Sequence, residues 1–175
     1  MSHTARVAGL PGVRLVLLLV AAGAVAAALV FGSSASAQAP TTLSFKELSK
    51  GSTFAFVDNA PKSKVKGEPS ASVGDVLVFT NPLVDAAGKR IGSLYVHCTA
   101  VVAARRANKA TYGCEGAVGL RGGTLTIQLL LGPSNIDKTA TPTVTGGTGV
   151  YANARGTIVS KTTKTGADDT LTLVG

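Results

Sequence analysis

The chain has 175 residues, 45% of them hydrophobic and 5% aromatic, with seventeen Lys and Arg against nine Asp and Glu for a formal net charge of +8. Two cysteines and two histidines leave too few soft ligands for a metal site, so neither a metal nor a cofactor is expected. The cations are dispersed, and the densest stretch, KSKVKGE at 62–68, sits between apolar segments as a solvated loop, which argues against a nucleic-acid binder.

Residues 1–37 read as an export signal. Arg6 and Arg14 give a positive start, Leu15 to Phe31 is an unbroken apolar run, and Ala35-Ser36-Ala37 ends it with small residues. An uncleaved anchor is the alternative, because the run has about the minimum length of a span. No cysteine lies near the cleavage site, which disfavours a lipid anchor, and after cleavage no stable membrane insertion is expected. Losing Arg6 and Arg14 leaves fifteen cations against nine acids, a formal +6. That charge allows a weak attraction to anionic walls or phospholipid heads once the protein is secreted.

Residues 38–52 form an N-terminal extension with one helical turn expected at 43–50, and residues 53–175 form the folded domain. Eight runs rich in Val, Ile, Leu, Thr, Phe and Tyr follow, at roughly 53–59, 75–84, 90–103, 110–120, 124–131, 138–145, 153–161 and 168–174. Gly, Pro, Asn, Asp and Lys separate them. Such spacing predicts an all-β domain, an antiparallel sandwich or barrel.

Alternation is clearest in LYVHCTAVVAA. Leu94, Val96, Cys98, Ala100 and Val102 share one face, and Ser93, Tyr95, His97 and Thr99 the other. The third and fourth runs flank RRANK at 105–109, a loop of hairpin length. A hairpin centred on Arg106 sets Cys98 opposite Cys114 and His97 opposite Glu115. Opposed cysteines at a non-hydrogen-bonded position are close enough for a disulfide, which an exported protein would form; buried free thiols are the alternative. His97 and Glu115 read better as a cross-strand ion pair than as an acid/base pair.

TVTGGTGVYANARG, at 143–156, contains G-x-G-x-x-A, with Asp168 near the distance of a ribose-binding acid. A nucleotide site of that kind needs a helix after the glycines, and here a β-rich run follows. The glycines therefore read as a tight connection between strands six and seven.

Several segments carry a resemblance. GGTGVYANARG resembles the Gly-rich turn and Ala-Arg-Gly of plant dirigent proteins, and VGDVLVFTNPLVD at 73–85 resembles the GD…FTN segment of allene oxide cyclases. IGSLYVHC, ATYGC and TVTGGTG follow in the cyclases' order and at similar spacing, so the resemblance spans about residues 53–174. It implies an eight-stranded, calycin-like antiparallel barrel with an apolar lumen, and a dimer or trimer. Phe79 and Asn81 match the Phe-Thr-Asn element, whose Asn faces a polar atom in the lumen. Cys98 matches a cysteine lining the cavity, which turns the Leu94–Val102 face inward and His97 and Glu115 outward; Tyr112 joins that site.

Plant cyclases place a glutamate on the first strand, and here FAFVDNA offers Val57 or Asp58 instead. Asp58 and Arg155 match the Asp and Arg of dirigent proteins and are the candidate catalytic pair. The resemblance thus implies a barrel that holds a hydrophobic small molecule and guides a cyclisation or coupling, in the manner of an isomerase, with the cyclase glutamate missing. A non-catalytic, lipocalin-like carrier and a structural barrel that oligomerises or contacts the wall are the alternatives.

Overall fold

A computed structural model describes residues 41–60 and 70–174. The export signal, its cleavage site and the basic loop at 62–68 lie outside the described residues.

Among the described residues ten strands make one antiparallel sheet: β1 (Thr41–Leu48), β2 (Thr53–Val57), β3 (Val76–Val84), β4 (Arg90–Val102), β5 (Thr111–Leu120), β6 (Gly123–Leu131), β7 (Thr139–Ala140), β8 (Thr143–Gly147), β9 (Arg155–Thr163) and β10 (Gly166–Val174). Eight of them close on themselves in the order β1-β10-β9-β8-β6-β5-β4-β3, and β1 completes the ring by pairing β3 at Lys46↔Val84 and Glu47↔Leu83. The barrel is therefore eight-stranded, as the spacing of the runs and the resemblance imply. Two short strands are additional: β2 runs along the β3 edge, and β7 pairs β9 beyond β8.

The identity of the closing strand differs from the sequence reading. Residues 43–50 hold no helical turn; β1 runs to Leu48 and pairs β10 over eight positions, from Thr41↔Leu173 to Leu48↔Gly166. The segment read as an extension is thus the seam of the barrel, and the run at 53–59 supplies the extra strand. The physical reason is that without β1 the facing edges of β10 and β3 would expose unpaired N–H and C=O groups. The run at 138–145 also divides, at Pro142, which has no N–H to give a ladder but whose carbonyl accepts from Ile158 N at 2.9 Å.

The β4–β5 hairpin has the expected register: Cys98 opposes Cys114 and His97 opposes Glu115. A disulfide joins the two cysteines. Leu94, Val96, Cys98 and Ala100 face inward and are buried, whereas Val102 does not share their face. A bulge between Ala100 and Val102 shifts the register and turns Val102 outward, 55% exposed.

After β8 the glycine segment makes a single 3-10 turn, Gly149–Tyr151, and leads into β9. It is a connection between strands. Gly149 has φ +60°, and a Cβ there would strike the backbone of Gly122 in the neighbouring β5–β6 turn, so glycine is required twice over.

A buried carboxylate holds the segment that precedes β3. Asp75 is fully buried and accepts hydrogen bonds from Asn59 N at 2.9 Å, Ser72 N at 2.7 Å and Ser72 Oγ at 3.0 Å. Its carbonyl accepts from Ala100 N at 2.8 Å, which ties the segment before β3 to the end of β4. Tyr112 packs in the core close enough to feel this charge. Burial, and then the Asp75 charge, push its phenol above the usual range, while its hydroxyl donates to Ala107 O at 3.0 Å. Removing the carboxylate would leave buried N–H groups unsatisfied. Asp75→Ala is expected to cost about 3 kcal/mol in urea unfolding. A loss below about 1 kcal/mol, the worth of one ordinary hydrogen bond, would contradict the clamp.

Candidate functional site

The inner faces of β1, β3, β4, β5, β6, β9 and β10 enclose a cavity of about 320 Å³, which reaches the barrel end at the 132–138 connection. Its walls are mostly hydrocarbon: Phe45, Phe79, Leu94, Val96, Val118 and Ile127 all contribute. Each is placed by the two-residue period of its strand, so the lumen inherits its apolar character from alternation alone.

Against that wall stands a polar group built at the seam. On β1, Phe45 and Glu47 share the inner face, and Lys46 points out to an exposed ion pair with Asp168 at 3.8 Å. Glu47 pairs directly with Leu83 on one side and Ala167 on the other. Two residues from those partners, on the same faces, lie Asn81 of β3 and Asp169 of β10. Closure of the ring therefore brings Glu47 between them. Asn81 Nδ2 donates to Glu47 Oε2 at 2.6 Å. Asp169 is 2% exposed, and neither of its oxygens receives a hydrogen bond of standard geometry, although the Ser160 hydroxyl and the Glu47 carboxyl lie close enough for weak hydrogen bonding to it.

Two carboxyls in a dry space cannot both ionise cheaply. Burial, followed by the charge of Glu47, pushes Asp169 up to about 7, with Ser160 acting in the opposite direction. Burial also raises Glu47, while the Asn81 hydrogen bond favours its charged form. The arrangement suits a proton held mainly on Asp169 beside an amide-supported Glu47, and such a group can give or take a proton near neutral pH. Among the described residues no three His, Cys, Asp or Glu group as a metal site.

The residues expected from sequence divide. Phe79 and Asn81 line the cavity. Cys98 is fully buried, and its disulfide partner Cys114 is the one that reaches the lining. Tyr112 lies in the core outside the lining, held by Ala107. Asp58 follows β2 beside Asn59, whose N–H bonds Asp75, and it does not line the cavity. Arg155 is exposed at the start of β9 and donates to Ala154 O at 2.8 Å. The structure does not bring Asp58 and Arg155 into the lumen. Its acids are Glu47 and Asp169, and the first strand of the ring does carry a glutamate. Sequence reasoning missed both. Asp169 shares its parity with Leu171 and Leu173, and Glu47 with Leu43 and Phe45, a signal available in the alternation.

Residues 56–170 match the family model described as allene oxide cyclase barrel like domain. No curated protein sequence matches the chain. Among solved structures, a pyocyanin demethylase is similar at a TM-score of 0.60 and 24% identity, covering 76% of this chain and 99% of its own. A pterocarpan synthase dirigent protein is similar at a TM-score of 0.51 and 20% identity, over 79% of this chain and 94% of its own. A nonspecific heme-binding cyclase that catalyses a cycloaddition in neoabyssomicin biosynthesis is similar at 0.50 and 16% identity, over 95% and 77%. Identities this low establish the shared fold.

The Asp169 carboxyl makes a prediction about stability. Its folded value near 7 lies above the unfolded value of about 3.9, so the folded state binds the proton more tightly. This group's contribution to stability is therefore most favourable below about pH 4 and declines as pH rises towards 7. Asp169→Asn is expected to raise stability at pH 8 by on the order of 2 kcal/mol and to flatten the pH dependence between about 4 and 7. Urea unfolding across that range reads both, and an unchanged slope would show that Asp169 is not desolvated.

Proposed function

Because the chain belongs to the allene oxide cyclase barrel-like family, we propose that it binds a hydrophobic small molecule in its lumen and guides an isomerisation or ring closure there. The observation that carries this reading is the buried Glu47–Asp169 pair facing an apolar cavity of about 320 Å³. The walls fix a reactive, mostly apolar molecule in one pose, which supplies the entropic part of catalysis. The Asp169 carboxyl donates a proton to, or takes one from, the polar edge of that molecule. Glu47, held by Asn81, bears the complementary charge, which suits the role that the cyclases' first-strand glutamate is thought to play.

The demethylase, the dirigent protein and the cycloaddition enzyme act on small organic molecules by their names, and their likeness in fold supports a lumen-centred activity. A carrier without chemistry would need only the walls. The orphaned Asp169 carboxyl favours the catalytic reading, since a passive pocket would gain from an apolar side chain there. The reading also places the protein outside the cytoplasm, where the leader would send it and where the Cys98–Cys114 disulfide would persist.

A neutral fluorescent probe, N-phenyl-1-naphthylamine, tests occupancy. We expect one molecule per chain with Kd on the order of 10 µM, and loss of binding in Ile127→Trp, which fills the lumen. Binding that survives in Ile127→Trp would place the ligand elsewhere. Native mass spectrometry of protein purified from its own host is expected to show a co-purified small molecule that the same substitution removes.

A further inference from the structure

The charge of the lumen runs against the charge of the protein. The chain is +8 overall, yet among the described residues the charged ones that line the cavity are Glu47, Asp137 and Asp169, with no Lys, Arg or His. A pocket for a carboxylate or phosphate ligand places a cation or a row of N–H donors at its polar end. Here the charged groups at the polar end are acids.

Three further features narrow the ligand. Asp169 is 2% exposed and lines the cavity, and its contacts to Ser160 and Glu47 fall short of standard hydrogen-bond geometry, so the protein leaves its oxygens undersupplied. Nearly all buried polar atoms in folded proteins are satisfied, so an acceptor of this kind is matched to a donor from outside. Phe45 and Phe79 line the same space, and aromatic faces attract cations. The volume of about 320 Å³ is at the small end for ligand pockets and suits two or three fused rings.

We infer that the lumen is selective for a compact, mostly apolar monocation that carries its charge on nitrogen and seats that charge on the Glu47–Asp169 pair. The inference rests on the lumen-binding reading above and adds the ligand's charge to it. A protonated amine or a nitrogen heterocycle with an N–H⁺ satisfies Asp169, cancels the repulsion between the two carboxyls and leaves its hydrocarbon against the walls. Free fatty acids and other carboxylates bring a third negative charge to the same place and are excluded.

Three probes with one ring system and different charge decide the matter: 1-naphthylmethylammonium, 1-naphthalenemethanol and 1-naphthoate, titrated calorimetrically into the whole protein at pH 7.5. The ammonium is expected to bind at least about ten-fold more tightly than the alcohol, and the carboxylate more weakly than either. With both carboxyls replaced, Glu47→Gln and Asp169→Asn together, the ratio of ammonium to alcohol affinity is expected to fall to about one, and either single substitution is expected to lower the same ratio should the double variant not fold. A carboxylate bound as tightly as the ammonium, or a ratio unaltered by both substitutions, overturns the selectivity while leaving the lumen as a binding site. Failure of all three probes to bind at about 1 mM would remove the selectivity and the lumen-binding reading together.

Discussion

A sheet that closes on itself takes the inner side chains of every strand out of water, and a carboxyl caught on that face must find a partner, bind a proton or remain a liability. This constraint governs the molecule. Glu47 meets it with the Asn81 amide. Asp169 meets it by a raised affinity for its proton, which burial and then the charge of Glu47 impose. The seam strand β1 imposes the condition, since it is by pairing both β10 and β3 that it sets Glu47 between the two.

The barrel treats its two buried aspartates in opposite ways. Asp75 is surrounded by donors from Asn59 and Ser72 and works as a clamp that organises the chain before β3. Asp169 has only weak contacts to Ser160 and Glu47, short of standard hydrogen-bond geometry, and faces the cavity. Burial depth is nearly equal, so solvent exposure does not separate them; hydrogen-bond supply does. A fully supplied carboxylate stabilises the fold, whereas an undersupplied one subtracts from its stability. The family's barrel fits this division, with one part of the interior packed around Tyr112 and the disulfide and another left open beside the acids.

Much of the fold was legible in the sequence because its pattern is local. The inward set of Leu94, Val96, Cys98 and Ala100 follows from alternation, and the pairing of Cys98 with Cys114 follows from a short hairpin around Arg106. The Gly-rich stretch at 143–156 was legible as a turn because a β-rich run follows it. Phe79 and Asn81 were reached through the Phe-Thr-Asn resemblance. The seam was not legible. TTLSFKEL places Lys46 beside Glu47 and ends on Leu48, which blurs the period of two, and its partners lie in the last strand of the chain. The family match itself begins at residue 56, beyond β1. Asp169 stood in plain alternation with Leu171 and Leu173, but the adjoining Asp168 has the opposite parity and the same side chain. Only the closed ring separates the two, turning Asp168 to the exposed Lys46 and Asp169 to the lumen.

The central claim is that the closed barrel holds Asp169 as an acid poised near neutrality. Carbon-detected NMR of the Asp and Glu side-chain carboxyls, titrated from pH 4 to 9 and assigned with Asp169→Asn, measures this directly. The Asp169 resonance is expected to titrate with a midpoint near 7, accompanied by a shift at Glu47. If every carboxyl of the protein completes its titration below about pH 5, as solvated acids do, the lumen is wet and the account is wrong.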